Sequence, residues 1–289
     1  MNKEYQNSNP DSEMDFLQSL PKIEMSYTKS KDDVWKDLLN KTAASKPPVK
    51  TIKLQWVKYA AAACLFLLLT YAGFINIYTK TIYCPKGKHM SVLLPDQSQI
   101  ELNAGSNLRY KPYLWKYYRK VKFEGEAFFK ITKGSKFEIE SDLGKTYILG
   151  TSFNIYARGK EYKVTCYTGK VKVVSKITSD NILLLPNDYA YVTKNGNIKL
   201  EKEDKAAEQI LWRSNLFRFT RTPLQSVFEE IELQYDINIT EKGKFKLNYT
   251  GNFSKEKSVE SVLHKVCMPL GLNFAKGPGK NYIITQNNP

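Results

Sequence analysis

The residues best equipped for chemistry are few. Glu124 and Glu126 flank Gly125 in the run Val121-Lys122-Phe123-Glu124-Gly125-Glu126-Ala127-Phe128-Phe129. Two carboxylates spaced across a sugar ring can share the acid and base work of glycoside hydrolysis. Around Gly125, however, the same residues read better as turn chemistry, with the apolar neighbours filling a core. The histidines are His89 and His264, and no Gly-x-Ser-x-Gly or His-Glu-x-x-His pattern accompanies them. Cys64, Cys84, Cys166 and Cys267 stand apart without a Cys-x-x-Cys pair, which indicates neither a disulfide framework nor a zinc site. A Cys166–Cys267 bridge gains little support, and Cys84, Cys166 and Cys267 are expected as quiet, buried thiols. The expectation is a protein without catalytic residues, cofactor or metal.

The element that must position everything else is Tyr59 to Ile77, an uncharged run whose clearly polar side chains are Thr70 and Asn76. A helix of about 20 residues crosses a bilayer core of about 30 Å and satisfies its own backbone there. It lacks the polar face that a helix packed on a soluble core would show. A cleaved leader is disfavoured, because no small-residue cleavage site follows Phe74-Ile75-Asn76-Ile77. Lys41, Lys46, Lys50, Lys53 and Lys58 precede the run, against Lys80, Lys86 and Lys88 beyond it, so the lysine bias puts the N-terminus inside. Trp56, Tyr59, Tyr71 and Tyr78 would sit near the two headgroup levels.

The net charge is +15, yet ten of the 44 Lys and Arg and eight of the 29 Asp and Glu lie in residues 1–58, which leaves +13 for the rest. That excess is mostly lysine, spread through strand-like segments without the compact stripe of a nucleic-acid binder. Direct contact with nucleic acid is therefore not expected; anionic lipid or envelope polymer is the preferred neighbour.

Ahead of the run, two amphipathic helices are predicted. Ser12 to Leu20 carries Met14, Phe16, Leu17 and Leu20 and stops at Pro21. The second begins at Ser30 as cap, with Asp33 three residues on, and aligns Val34, Trp35, Leu38 and Leu39 in one stripe. Thr42 to Val49, with Pro47-Pro48, reads as linker. So short a tail has too little interior to bury its own stripes. Either a partner's groove takes the anchor set Val34, Trp35, Leu38 and Leu39, or the helices lie on the membrane or on each other.

Beyond the run the periodicity changes to alternation. Strands are expected over Met90–Leu94, Gln99–Leu102, Lys120–Phe123, Ala127–Ile131, Lys136–Ile139 and Lys145–Leu149. Turns are expected between them, including one at Glu124-Gly125. Ser152–Tyr156, Lys163–Tyr167, Lys170–Val174, Asn181–Leu185 and Tyr189–Val192 continue the series. This is an all-β unit, with sandwich, jelly roll and solenoid open. Leu94-Pro95-Asp96-Gln97-Ser98-Gln99-Ile100-Glu101-Leu102-Asn103-Ala104-Gly105-Ser106-Asn107-Leu108-Arg109-Tyr110, then Val121 to Phe129, Leu149-Gly150-Thr151-Ser152-Phe153-Asn154 and Thr168-Gly169-Lys170-Val171 resemble the successive signatures of FecR-type transmembrane anti-sigma regulators. Gln97 and Asn187 stand where that pattern has Gly, and Tyr167-Thr168 replaces Leu-Glu. Asn tolerates a left-handed backbone, so the exchange at Asn187 is mild.

In residues 212–289, Leu224, Val227, Phe228, Ile231, Tyr235, Ile237 and Ile239 are matched 35 residues later by Val259, Val262, Leu263, Val266, Leu270, Leu272 and Phe274. Each copy reads as a helix running into a strand, with a further strand before it at Leu216–Phe219 or Leu247–Phe253. Thr222 and Ser258 are the expected caps, Pro223 the expected first-turn residue, and Tyr282–Thr285 a closing strand. Such a duplicated β-α-β unit is similar to the small signalling domain that ends FecR-like proteins and to that of TonB-dependent outer-membrane receptors.

The expected fold is thus a membrane-anchored α+β chain. It has a helical tail (1–41), a basic linker (42–58), a transmembrane helix (59–78), an all-β domain (79–211) and the duplicated domain (212–289). The resemblance implies an inner-membrane regulator with its bulk in the periplasm. Its tail would hold an extracytoplasmic-function sigma factor, and its outer domains would read the signalling domain of a TonB-dependent receptor for nutrient uptake. Release in the family involves envelope proteases that end inside the membrane, and Gly73 and Asn76 weaken the helix where such a cut would fall. The alternative from the residues is a membrane-anchored envelope protein that binds glycan or lipid.

Overall fold

The computed structural model describes residues 28–44, 54–202, 205–243, 245–255 and 258–286, with Ser19 and Pro21. The chain divides into two units, Met1–Leu65 and Phe66–Pro289. In the first, helix α1 (Lys31–Ala44) starts as its sequence requires. The Asp33 N–H donates to Ser30 Oγ at 3.2 Å, while that hydroxyl donates to the Asp33 carboxylate at 2.7 Å. Asp32 and Asp33 in the first turn and Lys41 in the last complement the helix dipole. The helix α2 (Leu54–Ile77) begins five residues before the uncharged run. Both helices therefore reach into the stretch read as linker: the short Thr42–Ala44 segment and Leu54–Lys58 are helical. The expected helix Ser12–Leu20 and the Pro47-Pro48 pair lie outside the described residues, Ser19 excepted.

The second unit holds a β domain and a smaller α/β domain. Its strands are β1 (Lys80–Cys84), β2 (Met90–Leu93), β3 (Gln99–Leu102), β4 (Ser106–Tyr110), β5 (Arg119–Lys130), β6 (Phe137–Glu140), β7 (Gly144–Ile148), β8 (Ser152–Arg158), β9 (Glu161–Thr168), β10 (Val171–Ser175), β11 (Asn181–Leu184), β12 (Asp188–Val192) and β13 (Ile198–Lys202). All lie in one sheet, ordered β11-β10-β7-β6-β5-β8-β9-β12-β13, with β1 on β4, β2 on β3, and both pairs joined to β5 through β4 and β3. Neighbours are antiparallel except β5 and β6. That pairing removes the solenoid, whose coils stack in parallel, and leaves a near-barrel closed over one core.

The closure is the work of β5. Its first half pairs with β4 and β6, its second with β3 and β8, so one strand serves both walls. Glu124-Gly125 is therefore not the expected turn but a bend within a continuous strand. Gly125 takes φ +117°, a conformation closed to L side chains, and lies so close to Ser106 that a Cβ would fall 2.6 Å from its Cα. Inward residues alternate along the strands, with Ile100, Leu108, Phe129, Phe137 and Phe153 fully buried and Phe129 stacked on Phe153 at 5.1 Å. Gln97 and Asn187 both adopt positive φ, 64° and 71°, which explains why glycine suits those places.

The α/β domain has strand β14 (Leu216–Pro223), helix α3 (Leu224–Tyr235), strands β15 (Asn238–Lys242) and β16 (Asn248–Ser254), helix α4 (Val259–Cys267), and strands β17 (Leu272–Lys276) and β18 (Asn281–Gln286). Leu224, Val227, Phe228 and Ile231 of α3 and Val259, Val262, Leu263 and Val266 of α4 are buried in one cluster. β14 pairs with β16, and β18 lies between β15 and β17. The caps differ from expectation. Pro223, not Thr222, is the N-cap of α3, and the Leu224 N–H donates to the Leu247 carbonyl at 2.9 Å. Ser258 does hold the N-cap of α4, but its hydroxyl turns to the Glu260 carboxylate instead of the backbone.

Candidate functional site

Glu124 and Glu126 do not form an acid pair. The bend at Gly125 leaves Glu124 exposed and turns Glu126 inward, where it is 7% exposed. Asn103 Nδ2 donates to Glu126 Oε2 at 2.8 Å and Asn154 Nδ2 to Oε1 at 3.0 Å. Ser106 Oγ closes the backbone around it, donating to the Glu126 carbonyl at 2.9 Å and accepting from its N–H at 3.0 Å. Burial, aided by the charge of Glu230, pushes the Glu126 carboxyl up to about 7 despite Arg158 and the two amides.

This cluster is a joint between the two domains. Gln234 of α3 is 0% exposed, and its Nε2 donates to Asn103 Oδ1 and to Glu230 Oε1, both at 2.8 Å. Its Oε1 lies 3.2 Å from His89 Nε2. His89 stands edge-on to Trp212 at 5.3 Å, and burial lowers its pKa. Around this polar centre, Gly87 N–H donates to the Leu233 carbonyl at 2.8 Å, and Lys255 Nζ donates to the Gly87 carbonyl at 2.8 Å. Arg213 grips Glu101 with two hydrogen bonds, 2.6 and 2.8 Å, while its guanidinium lies 4.1 Å from the Phe128 ring centre. Within this cluster Asn154 Oδ1, Arg158 Nε and Trp212 Nε1 are buried without a partner.

Asn103, Asn154 and Gln234 were not singled out from sequence. One signal was available: Gln234 falls three and seven residues after Ile231 and Val227, on the buried stripe of α3. A polar residue on such a stripe marks a partner across it. His264 is exposed on α4. Cys84, Cys166 and Cys267 are buried free thiols, and burial pushes the last two up to about 11.

The four residues of the tail stripe lie on α1. Trp35, Leu38 and Leu39 are 65, 51 and 53% exposed on α1, with Val34 half-buried. In α2, the apolar window of Gln55–Ile77 is wholly unburied and long enough to cross a membrane. Asn76 Nδ2 back-bonds to the Ala72 carbonyl at 2.9 Å, and a Cβ at Gly73 would meet open space.

Together the near-barrel β domain and the small α/β domain packed on it make a mixed α+β protein, mostly β. The chain belongs to the FecR protein family: the family described as FecR protein matches residues 80–172, and that described as FecR, C-terminal, matches residues 216–284. Two crystal structures from Parabacteroides distasonis ATCC 8503, both assigned as anti-sigma factors, are similar to it. One, at 2.50 Å resolution, is 29% identical with a TM-score of 0.66, over 73% of this chain and 100% of that one. The other, at 1.65 Å, is 30% identical with a TM-score of 0.65, over 72% of this chain and 100% of that one. No curated protein sequence matches the chain.

Proposed function

We propose that this chain is a single-pass inner-membrane anti-sigma factor. Its N-terminal tail, in the cytoplasm, sequesters an extracytoplasmic-function sigma factor, and its periplasmic domains receive the signal of a TonB-dependent receptor. The observation that carries this reading is the exposed set Trp35, Leu38 and Leu39 on the capped helix α1, ahead of an apolar helix of spanning length. Exposed aromatic and leucine anchors on one helical face fit a hydrophobic groove, and a groove so filled is closed to RNA polymerase. Trp35→Ala is expected to weaken binding of the cognate sigma factor by at least tenfold, about 1.4 kcal/mol. Calorimetry with the full chain in detergent checks this, and unchanged affinity removes Trp35 from the interface.

Gly73 and Asn76 are the proposed point of release. Glycine within a helix costs about 1 kcal/mol relative to alanine. A Gly73→Leu and Asn76→Leu double variant is therefore expected to slow signal-dependent cleavage in cells, followed by immunoblot of the N-terminal fragment. Cleavage at the normal rate counts against the assignment.

A further inference from the structure

Beside the end of α2, the β domain carries a pocket of about 920 Å³ that none of the roles above uses. Arg109 and Lys122 line it and stand directly opposite one another in the β4–β5 register. Both are exposed, and neither enters an ion pair among the described residues. Like charges so placed repel unless an anion lies between them. The neighbouring cations are differently engaged: Arg119 holds Asp96, Lys120 holds Glu138 and Glu140, and Lys136 approaches Glu138. Glu138 is the carboxylate of the lining, and Lys120 and Lys136 already neutralise it. The uncompensated charge of the pocket is positive.

Chain connectivity fixes where this pocket lies. Thr79 and Thr81 form part of its wall, two and four residues beyond Ile77. At about 3.3 Å per residue, that wall stands within roughly 13 Å of the helix end. The segment after β4 folds onto the same end: Lys111 Nζ donates to the Asn76 carbonyl, and Tyr113 packs on Phe74 and Tyr78 at 6.1 and 5.3 Å. Tyr117 and Tyr118 complete the rim and are exposed. Tyrosine and lysine gathered at the end of an apolar helix are the residues of the headgroup layer.

We propose that this pocket binds the phosphate of an anionic phospholipid headgroup in the leaflet at the Ile77 end of α2. The phosphate lies between Arg109 and Lys122, which donate charge-assisted hydrogen bonds to it, and the glycerol backbone lies against Tyr117 and Tyr118. A lipid is the fitting source because the pocket opens where the chain leaves the apolar helix, beside the tyrosines and lysines of the headgroup level. The proposal rests on α2 being a membrane span.

The test uses the full chain in neutral detergent with phosphatidylglycerol or phosphatidylcholine, read by native mass spectrometry. Wild type is expected to retain phosphatidylglycerol at least tenfold over phosphatidylcholine. Arg109→Gln with Lys122→Gln is expected to lose that preference, whereas Lys194→Gln with Lys199→Gln, an equal charge change on exposed residues elsewhere, keeps it. Equal retention by the two double variants, or no preference in wild type, overturns the proposal. So does displacement of the lipid by equimolar glycerol phosphate, which would make the ligand a soluble phosphate. Flotation with pure phosphatidylcholine vesicles reads the span separately: if flotation holds and the preference is absent, the pocket fails alone; if flotation fails, the span fails and the pocket with it.

Discussion

Gly125→Ala is expected to destabilise the β domain by about 3–5 kcal/mol, enough to leave much of it unfolded. The added Cβ would meet Ser106 Oγ at 2.4 Å and Ser106 Cα at 2.6 Å, and the backbone at φ +117° disfavours any side chain. Ser106 cannot retreat, because its hydroxyl bridges the N–H and carbonyl of Glu126. The damage also falls where β5 passes from one wall to the other, so both walls lose register together. Gly159→Ala is the control: its φ is +53°, no atom lies within 4 Å of the added Cβ, and a loss of about 1 kcal/mol is expected. Chemical denaturation of the two variants distinguishes them, and similar midpoints would show that the bend tolerates a side chain.

Glu126 should make stability fall as pH rises through the weakly acidic range. Its carboxyl is raised to about 7 in the folded chain, chiefly by burial. The folded state therefore keeps a proton that the unfolded state has already lost, and the penalty grows from the ordinary carboxylate range up to about 7. The contribution is on the order of 3 kcal/mol. Glu126→Gln removes it. Asn103 must keep its orientation, since its Oδ1 accepts from the Ala104 N–H and from Gln234. Asn154 can turn over, because its Oδ1 is buried without a partner and can accept from the new amide. The variant is expected to gain on wild type from pH 4.5 to pH 7.5 in denaturation curves; parallel curves would place the titration elsewhere. Glu126→Ala, which strands two buried amide donors, is expected to cost about 2–4 kcal/mol at pH 4.5, with the difference from wild type narrowing as pH rises.

The sequence shows most clearly what depends on local periodicity. The α1 helix, the apolar helix and the helices α3 and α4 all rest on spacing within a few turns, and each is present, the apolar one starting five residues earlier than its uncharged run. The unit at Glu124-Gly125 was misread because glycine between alternating runs signals a turn as readily as a bend in one strand; only pairing partners on both sides separate the two. Strands β1, β4 and β13 are each five residues long, too short for their alternation to stand out, and Lys80–Cys84 follows the apolar helix almost at once. The joint was hidden for another reason: Asn103 and Gln234 are 131 residues apart, and only the folded chain brings them within 2.8 Å.

The strand order β15-β18-β17 bears on how the chain comes off the ribosome. The first copy's strand, Asn238–Lys242, has to wait for Asn281–Gln286, which pairs with it in parallel and is the last strand of the domain to be synthesised. Until then neither copy has a complete sheet, and the apolar faces of α3 and α4 lack their full cover. Chains cut short before Asn281 would therefore present that unfinished surface to proteases.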